Sequence, residues 1–141
     1  MIVAVGLDLV ETARIRRAVE RHPTRFVKRC FHPDELVELE GRSDPYPGLA
    51  ARFAAKEAFA KCWRSSLSWT DVWVVKDGVR PVLMTSERLA SALTTEHLVT
   101  HLSLTHTDEH ASAVVILERV EPTVLDPDHG QPPQHLTRED L

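Results

Sequence analysis

Two isolated carboxylates lie on segments that would hold them rigidly. Asp8 is in an apolar N-terminal segment, and Glu57 is in an alanine-rich stretch between Lys56 and Lys61. Magnesium prefers hard oxygen ligands and usually binds one or two carboxylates together with substrate phosphates. Nearby ammonium groups stabilise phosphate charge. The pattern therefore favours phosphoryl-type chemistry, with Asp8 and Glu57 as magnesium ligands and Lys56 and Lys61 compensating the phosphates.

Each carboxylate also has a plainer interpretation. Asp8 could cap the helix predicted to follow the first strand. Glu57 and Lys61 could form an ordinary i,i+4 surface pair, which contributes only about 0.3–0.5 kcal/mol. The neighbours of Glu57 are mostly alanine and phenylalanine, so we expect part of its side chain to be buried. The residues alone leave these alternatives open.

A second polar group ends a predicted strand near residue 105. Ser103 and Thr105 are two residues apart and therefore share one strand face, and His106 follows them. The group fits a phosphate-binding edge, and it fits equally well a polar strand end. The sequence contains no Walker loop, dinucleotide fingerprint or nucleophile elbow, so nucleophilic serine catalysis is not expected.

The hydrophobic pattern predicts an α+β fold that would position these groups. The strongest helical pattern covers 49–63, after a predicted loop over 41–48. From residue 120 the composition changes to proline and acidic residues, which predicts a globular domain over 1–119 and a loosely ordered tail over 120–141. The other predicted helices cover 12–20, 23–29, a short segment from 33, and 86–93, and the strands cover 1–9, 71–76, 79–84, 98–105 and 111–118.

Composition and charge narrow the classes of partner. The 141 residues carry a net charge of -4, with two cysteines and no apolar run of the ~20 residues that a membrane span needs. We expect a cytoplasmic protein with no membrane partner and with Cys30 and Cys62 in the packing. The segment from Glu11 to Arg29 carries seven cations, which indicates a local anionic partner rather than nucleic acid, or else a solvated helix face.

Taken in order, these segments resemble the holo-acyl-carrier-protein synthase family of 4'-phosphopantetheinyl transferases. The resemblance spans roughly residues 1–118, and the R-F-A-A-K-E-A stretch from Arg52 is its most specific part. It is carried by Gly6-Leu7-Asp8-Leu9-Val10-Glu11, Arg14-Ile15, Arg25-Phe26, Arg52 to Lys61, Ser103-Leu104-Thr105-His106 and the strand 111–118.

The resemblance implies a small antiparallel sheet packed with a long central helix and shorter helices. It implies a homotrimer whose active sites lie between adjacent subunits. The implied reaction transfers the 4'-phosphopantetheine group of coenzyme A to a serine of apo acyl carrier protein. The other product is 3',5'-adenosine bisphosphate, and the implied cofactor is Mg²⁺.

Positions that match the family's motifs receive roles by the same resemblance. Asp8 and Glu57 match the magnesium ligands, and with Lys61, which lies near the coenzyme A phosphates, they form the expected catalytic set. The expected coenzyme A contacts are Lys56, Lys61, Ser103, Thr105 and His106. The expected docking surface for the acidic carrier protein consists of Arg14, Arg21, Arg25, Phe26 and Arg29.

Two segments depart from the family pattern. The loop 62–68 after the central helix has no glycine, and Arg80 precedes Pro81 where the family usually has a G-K-P run. Two rival functions stay open, and the altered loop is the best argument for the second. One is an enzyme of the same scaffold that modifies carrier domains of polyketide or peptide synthases. The other is an interaction module that binds an acidic partner through residues 14–29 and catalyses no reaction.

Overall fold

The computed structural model describes residues 1–121 and has the predicted α+β architecture. It contains two antiparallel sheets, one of three strands and one of two, around a long helix. In chain order the elements are β1 (Ile2–Glu11), α1 (Thr12–Arg21), α2 (Pro23–Cys30), α3 (Pro33–Val37), α4 (Tyr46–Cys62), β2 (Val72–Asp77), β3 (Arg80–Thr85), α5 (Glu87–Thr95), β4 (Leu98–His106) and β5 (His110–Arg119).

Helix α4 is the centre of the fold. Its side chains are apolar on nearly every side, as expected of a helix enclosed by other elements, and most of its residues are buried. The helix begins three residues before the predicted start at Leu49, inside the predicted loop. Pro47 lies in the first turn, where a missing backbone N–H is tolerated, so it does not delay the helix.

The larger sheet has the order β1-β5-β4, and its inner face packs against α4. Small residues allow a very close approach. A Cβ atom at Gly6 would lie 1.9 Å from the carbonyl oxygen of Ala58 on α4. Only glycine fits at this position of β1 without moving the helix.

The outer face of the same sheet is apolar and exposed along β1. Val3, Val5, Leu7 and Leu9 alternate with inward residues, and they are 39%, 60%, 58% and 67% exposed. Exposed apolar groups of this extent mark interaction surfaces. We call this four-residue surface the β1 outer face.

The remaining boundaries agree closely with the sequence predictions. Ser86 caps α5 by accepting a hydrogen bond from the backbone N–H of Leu89, as predicted. The β2–β3 turn lies at Gly78 and Val79, one residue later than predicted, because Asp77 still pairs with Arg80. Gly78 adopts a φ of 59°, which glycine tolerates best.

The two ends of the described chain meet at the sheet edge. The N-terminal ammonium of Met1 donates a hydrogen bond of 2.7 Å to the carbonyl oxygen of Arg119. The backbone N–H of Val120 bonds to the carbonyl oxygen of His97, so ordered structure extends just past the predicted domain boundary. Apart from residues 120 and 121, the predicted tail lies outside the described residues. No helix within residues 1–121 is long and apolar enough to cross a membrane.

Candidate functional site

Asp8 lies on the inner face of β1, one alternate position after Gly6. Its side chain is 16% exposed, and its Oδ1 atom is 2.9 Å from the Nζ atom of Lys61. Lys61 also donates to the carbonyl oxygen of Leu7 at 2.6 Å. The strand continues to Glu11, which is the N-cap residue of α1. Asp8 therefore does not cap that helix, and the plainer interpretation of this carboxylate is wrong.

Glu57 lies one helical turn before Lys61 on the same face of α4. Its side chain is half-buried, and it makes no hydrogen bond or ion pair with any residue in the described part of the chain. The ammonium of Lys61 is instead occupied by Asp8 and by Leu7. The predicted plain surface pair between Glu57 and Lys61 is therefore not formed, and the carboxylate of Glu57 is available for a ligand.

The two carboxylates fit a magnesium ion that also binds substrate. Within residues 1–121 no group of three or more histidine, cysteine or acidic side chains could hold a metal alone. Magnesium needs no such cage, because one or two carboxylates, waters and substrate phosphates complete its shell. Asp8 keeps its Oδ2 atom free of hydrogen bonds from the described residues, and Glu57 keeps both of its carboxylate oxygens free.

A cavity of about 200 Å³ opens beside Glu57. One wall is the face of α4, and the other is the segment that leads into β2. The lining is mainly apolar with a few polar groups, which is usual for pockets that bind a small molecule. It consists of Lys56, Glu57, Ala60, Leu67, Ser68, Trp69 and Val72.

Lys56 is buried, with 2% of its side chain exposed. Its Nζ atom lies 2.8 Å from Glu35 and donates to the carbonyl oxygens of Trp69 and Val72. An ammonium group has three N–H bonds, and these acceptors use all three. Lys56 therefore makes structural contacts within the chain, and its contact with a coenzyme A phosphate stays a prediction.

Ser103 and Thr105 point away from the Asp8 site of their own chain. Both are exposed, and the strand register aligns Thr105 with Ser112 and Leu9, on the outer face of the sheet. His106 ends β4 and is also exposed. The structure thus keeps the shared face that the sequence predicts, but it does not bring Ser103 and Thr105 to Asp8 within one subunit.

The predicted docking residues form a basic surface on α1 and α2. Arg14, Arg21 and Phe26 line a cleft of about 320 Å³, and Phe26 stacks on Phe53 of α4 at 6.3 Å between ring centroids. The guanidinium of Arg14 lies 5.7 Å from the centroid of the Phe53 ring. The remaining predicted residues, Arg25 and Arg29, are exposed on α2 outside the lining of this cleft.

A model of the 4'-phosphopantetheinyl transferase superfamily matches residues 4–115, which is more than half of the chain. The chain belongs to this superfamily. A holo-[acyl-carrier-protein] synthase of Thermus thermophilus is 52% identical over 118 residues, which cover 84% of this chain and 94% of that protein.

Solved structures of similar proteins agree with the fold of this phosphopantetheinyl transferase. The holo-[acyl-carrier-protein] synthase of Neisseria meningitidis aligns with a TM-score of 0.76 and 31% identity, covering 84% of this chain and 99% of that one. The enzyme of Bacillus anthracis, solved in complex with CoA (3',5'-ADP), aligns with a TM-score of 0.70 and 31% identity, covering 85% and 99% of the two chains.

The glycine-free loop of this phosphopantetheinyl transferase is anchored at its end by Asp71. The Asp71 carboxylate accepts hydrogen bonds from the backbone N–H of Ser68, from the Ser86 hydroxyl and from Arg88, which also donates to the carbonyl oxygen of Ser66. Burial opposes ionisation of Asp71, but these donors outweigh it and lower its pKa below the usual value. Hydrogen bonds therefore fix the end of this loop, which contains no glycine.

Two carboxylates, in α3 and directly after it, bind side chains of α4 and are not predicted from the sequence. Glu35 is fully buried, and Glu38 forms an ion pair of 2.6 Å with Arg52 of α4. The signal was the His32-Pro33-Asp34-Glu35 segment, which folds as a capping box with Glu35 as its acidic member. A capping box predicts the helix start, but it does not reveal that Glu35 also binds a lysine 21 positions later.

Proposed function

We propose that this chain transfers the 4'-phosphopantetheine group of coenzyme A to a serine of apo acyl carrier protein, with Mg²⁺ as cofactor. The observation that supports the proposal is the position of Lys61 beside both carboxylates. This lysine contacts Asp8 on β1 and lies one turn from the unpaired carboxylate of Glu57 on α4. Membership of the superfamily makes coenzyme A the expected donor.

The proposed step is a substitution at phosphorus. The serine oxygen of the carrier protein forms a bond to the β-phosphorus of coenzyme A, and the bond from that phosphorus to the bridging oxygen breaks. The leaving group is 3',5'-adenosine bisphosphate. When bound at Asp8 and Glu57, Mg²⁺ would supply charge stabilisation at the pyrophosphate oxygens.

The chain's own groups then have distinct tasks. Lys61 is half-exposed and carries the positive charge nearest to Asp8, so it would stabilise the negative charge that develops on the leaving phosphate. The serine must also lose a proton. Glu57 or a water molecule could accept it, and both alternatives stay open.

The cavity beside Glu57 suits the pantetheine arm. The arm is uncharged along its length, and the cavity offers Ala60, Leu67 and Trp69 as apolar contacts. Its position next to Glu57 would place the arm beside the reacting phosphate. Burial of the arm there would fix the orientation of the phosphate that it carries.

The proposed assembly is a trimer of this chain, joined through the β1 outer face. Ser103 and Thr105 lie on that side of the sheet, away from the Asp8 site of their own subunit. A neighbouring copy packed on the face would bring its Asp8 site to these hydroxyl groups. The arrangement would bury the apolar side chains and complete a phosphate-binding edge in one step.

The proposed carrier-protein surface is the basic cleft of α1 and α2. Arg14 and Arg21 supply charge, and Phe26 supplies an apolar floor. An acidic partner would be attracted over a long range and would dock on the exposed arginines. This surface would present the carrier serine to the end of β1, since α1 follows β1 directly.

Mass spectrometry of an apo acyl carrier protein tests the reaction. The carrier is incubated with this protein, coenzyme A and Mg²⁺, with and without a chelator. We expect the mass gain of one phosphopantetheine group, which is lost on chelation and in Asp8→Asn and Glu57→Gln variants that still fold. Asp108→Asn, an exposed carboxylate on the β4–β5 turn, serves as the matched control and should retain activity.

The same assay addresses the two rivals. A mass gain only on carrier domains of polyketide or peptide synthases would change the substrate and keep the chemistry. Binding of carrier proteins without any mass gain would favour an interaction module. Full activity of both Asp8→Asn and Glu57→Gln would overturn the metal assignment.

A further inference from the structure

Glu35 and Lys56 form an ion pair in the interior of the fold. Their side chains are 0% and 2% exposed, and the Nζ atom of Lys56 lies 2.8 Å from the Oε2 atom of Glu35. Burial lowers the pKa of Lys56, and the neighbouring Glu35 charge opposes that effect. A buried pair of this kind gives little net stability, so its presence calls for another explanation.

The pair joins four segments of the chain. Glu35 accepts hydrogen bonds from the backbone N–H groups of His32 and Val74, each at 2.9 Å, and thereby ties α3 to β2. Lys56 is on α4, and its other two N–H bonds go to the carbonyl oxygens of Trp69 and Val72. Three of these bonds, to Trp69, Val72 and Val74, therefore hold the segment 69–74 against α4 and α3.

This segment is the wall of the cavity beside Glu57. Trp69 and Val72, whose carbonyl groups Lys56 binds, both line the cavity, and Lys56 itself is the residue before Glu57. The two wall residues are thus held within hydrogen-bond distance of the lysine side chain. A shift of the wall would change the apolar contacts without touching Asp8 or Lys61.

A second ion pair nearby provides a comparison. Glu38, the residue after α3, bonds to Arg52 of α4 at 2.6 Å and accepts from the backbone N–H of Lys76, so it ties the end of α3 to β2 and α4. Among the described residues, neither Glu38 nor Arg52 forms a hydrogen bond with the segment 69–72. The two pairs therefore share the same elements but differ in whether they hold the cavity wall.

We propose that Glu35 and Lys56 are positioning residues that fix the cavity wall for the pantetheine arm of coenzyme A. The inference rests on the proposed function. It assigns to the lysine beside Glu57 a task that involves no contact with phosphate. The pair acts through Trp69 and Val72, so its removal should weaken binding of the arm and leave nucleotide binding unchanged.

Calorimetry with two nucleotides tests this role. Coenzyme A carries the arm, and 3',5'-adenosine bisphosphate lacks it. In the double variant Glu35→Gln with Lys56→Met, we expect the affinity for coenzyme A in the presence of Mg²⁺ to fall at least about tenfold, and that for the bisphosphate to change less than about twofold. The double change avoids leaving one charge buried alone.

The matched control is the double variant Glu38→Gln with Arg52→Met. It removes an ion pair between the same elements and should leave both affinities near those of the wild type. If the Glu35 and Lys56 double variant does not fold, Lys56→Arg provides the measurement, since arginine keeps a positive charge beside Glu35 and changes the length of the side chain that binds the carbonyl groups of Trp69 and Val72.

Three results would overturn the positioning role: equal losses for both nucleotides, no loss for either, or the same selective loss in the control pair. Failure of the proposed function has a different signature. In that case the wild type would give no mass gain on any carrier protein. The calorimetric comparison of the two nucleotides needs no carrier protein and would still report on the positioning role.

Discussion

The close contact between Gly6 and Ala58 makes a direct prediction about stability. In Gly6→Ala, the added methyl group would lie 1.9 Å from the Ala58 carbonyl oxygen and 2.8 Å from both the Ala58 carbonyl carbon and the Cys62 Sγ atom. The first two atoms belong to the backbone of α4, which cannot rotate away. The variant must therefore move β1 from the central helix.

The expected cost follows from the kind of obstacle. Overpacking of a core costs about 1–3 kcal/mol, and a rigid backbone neighbour places this position at the upper end, about 3 kcal/mol. Alanine is favoured over glycine in a strand, and this preference offsets less than about 1 kcal/mol of the destabilisation. For a domain of this size we expect the midpoint of thermal unfolding to fall by about 10 °C.

Thermal unfolding followed by circular dichroism measures the effect, with Gly48→Ala as control. A Cβ atom at Gly48 would lie 2.5 Å from the Leu39 Cδ2 atom, which is the end of a flexible side chain, and alanine is favoured over glycine in a helix by about 1 kcal/mol. The control should melt near the wild type. A Gly6→Ala midpoint within about 2 °C of the wild type would refute the reasoning.

Three further results are expected. Reversal of Arg14 and Arg25 to Glu should weaken binding of an acidic carrier protein at least about tenfold and leave coenzyme A binding intact; equal losses in surface plasmon resonance would place the docking surface elsewhere. If the proposed trimer forms through the β1 outer face, Leu7→Asp should lower the mass found by sedimentation equilibrium from that of three chains to that of one; a variant with the wild-type mass would exclude this face as the interface. The lowered pKa of Asp71 means that its ionised form stabilises the fold above the usual carboxyl pKa, and that this contribution disappears as the pH falls through the lower folded value. The unfolding midpoint of the wild type should therefore fall more steeply than that of Asp71→Asn in this acidic range, and parallel curves would contradict the assignment.

Most helices and strands of this fold can be predicted from the sequence because local patterns determine them. An alanine-rich stretch without glycine or proline predicted α4, and a serine before a helical pattern predicted the start of α5. The strand β1 was predicted too short, since its pairing with β5 extends to Glu11 and His110. Such a boundary depends on a partner strand a hundred residues away.

The candidate site could be predicted from the sequence only in part. The residue types of Asp8, Glu57 and Lys61 indicated their chemistry, but the acceptors that surround Lys56 come from distant segments and cannot be inferred from spacing. Strand periodicity placed Ser103 and Thr105 on one face, whereas only the sheet register determines which face it is. Long-range pairing therefore separates the residues that face the site from those that do not.

The hydrogen bond between Met1 and Arg119 brings the start of β1 next to the end of β5. Because these residues are adjacent, a short peptide could link Met1 to Val120 in a domain shortened to residues 1–120, and new termini could be opened at Val79, whose side chain is 94% exposed in the β2–β3 turn. Such a circular permutant would keep all three strand pairings and the whole of α4. The order of the elements along the chain is thus separable from the architecture of the described residues, whose core would need no redesign.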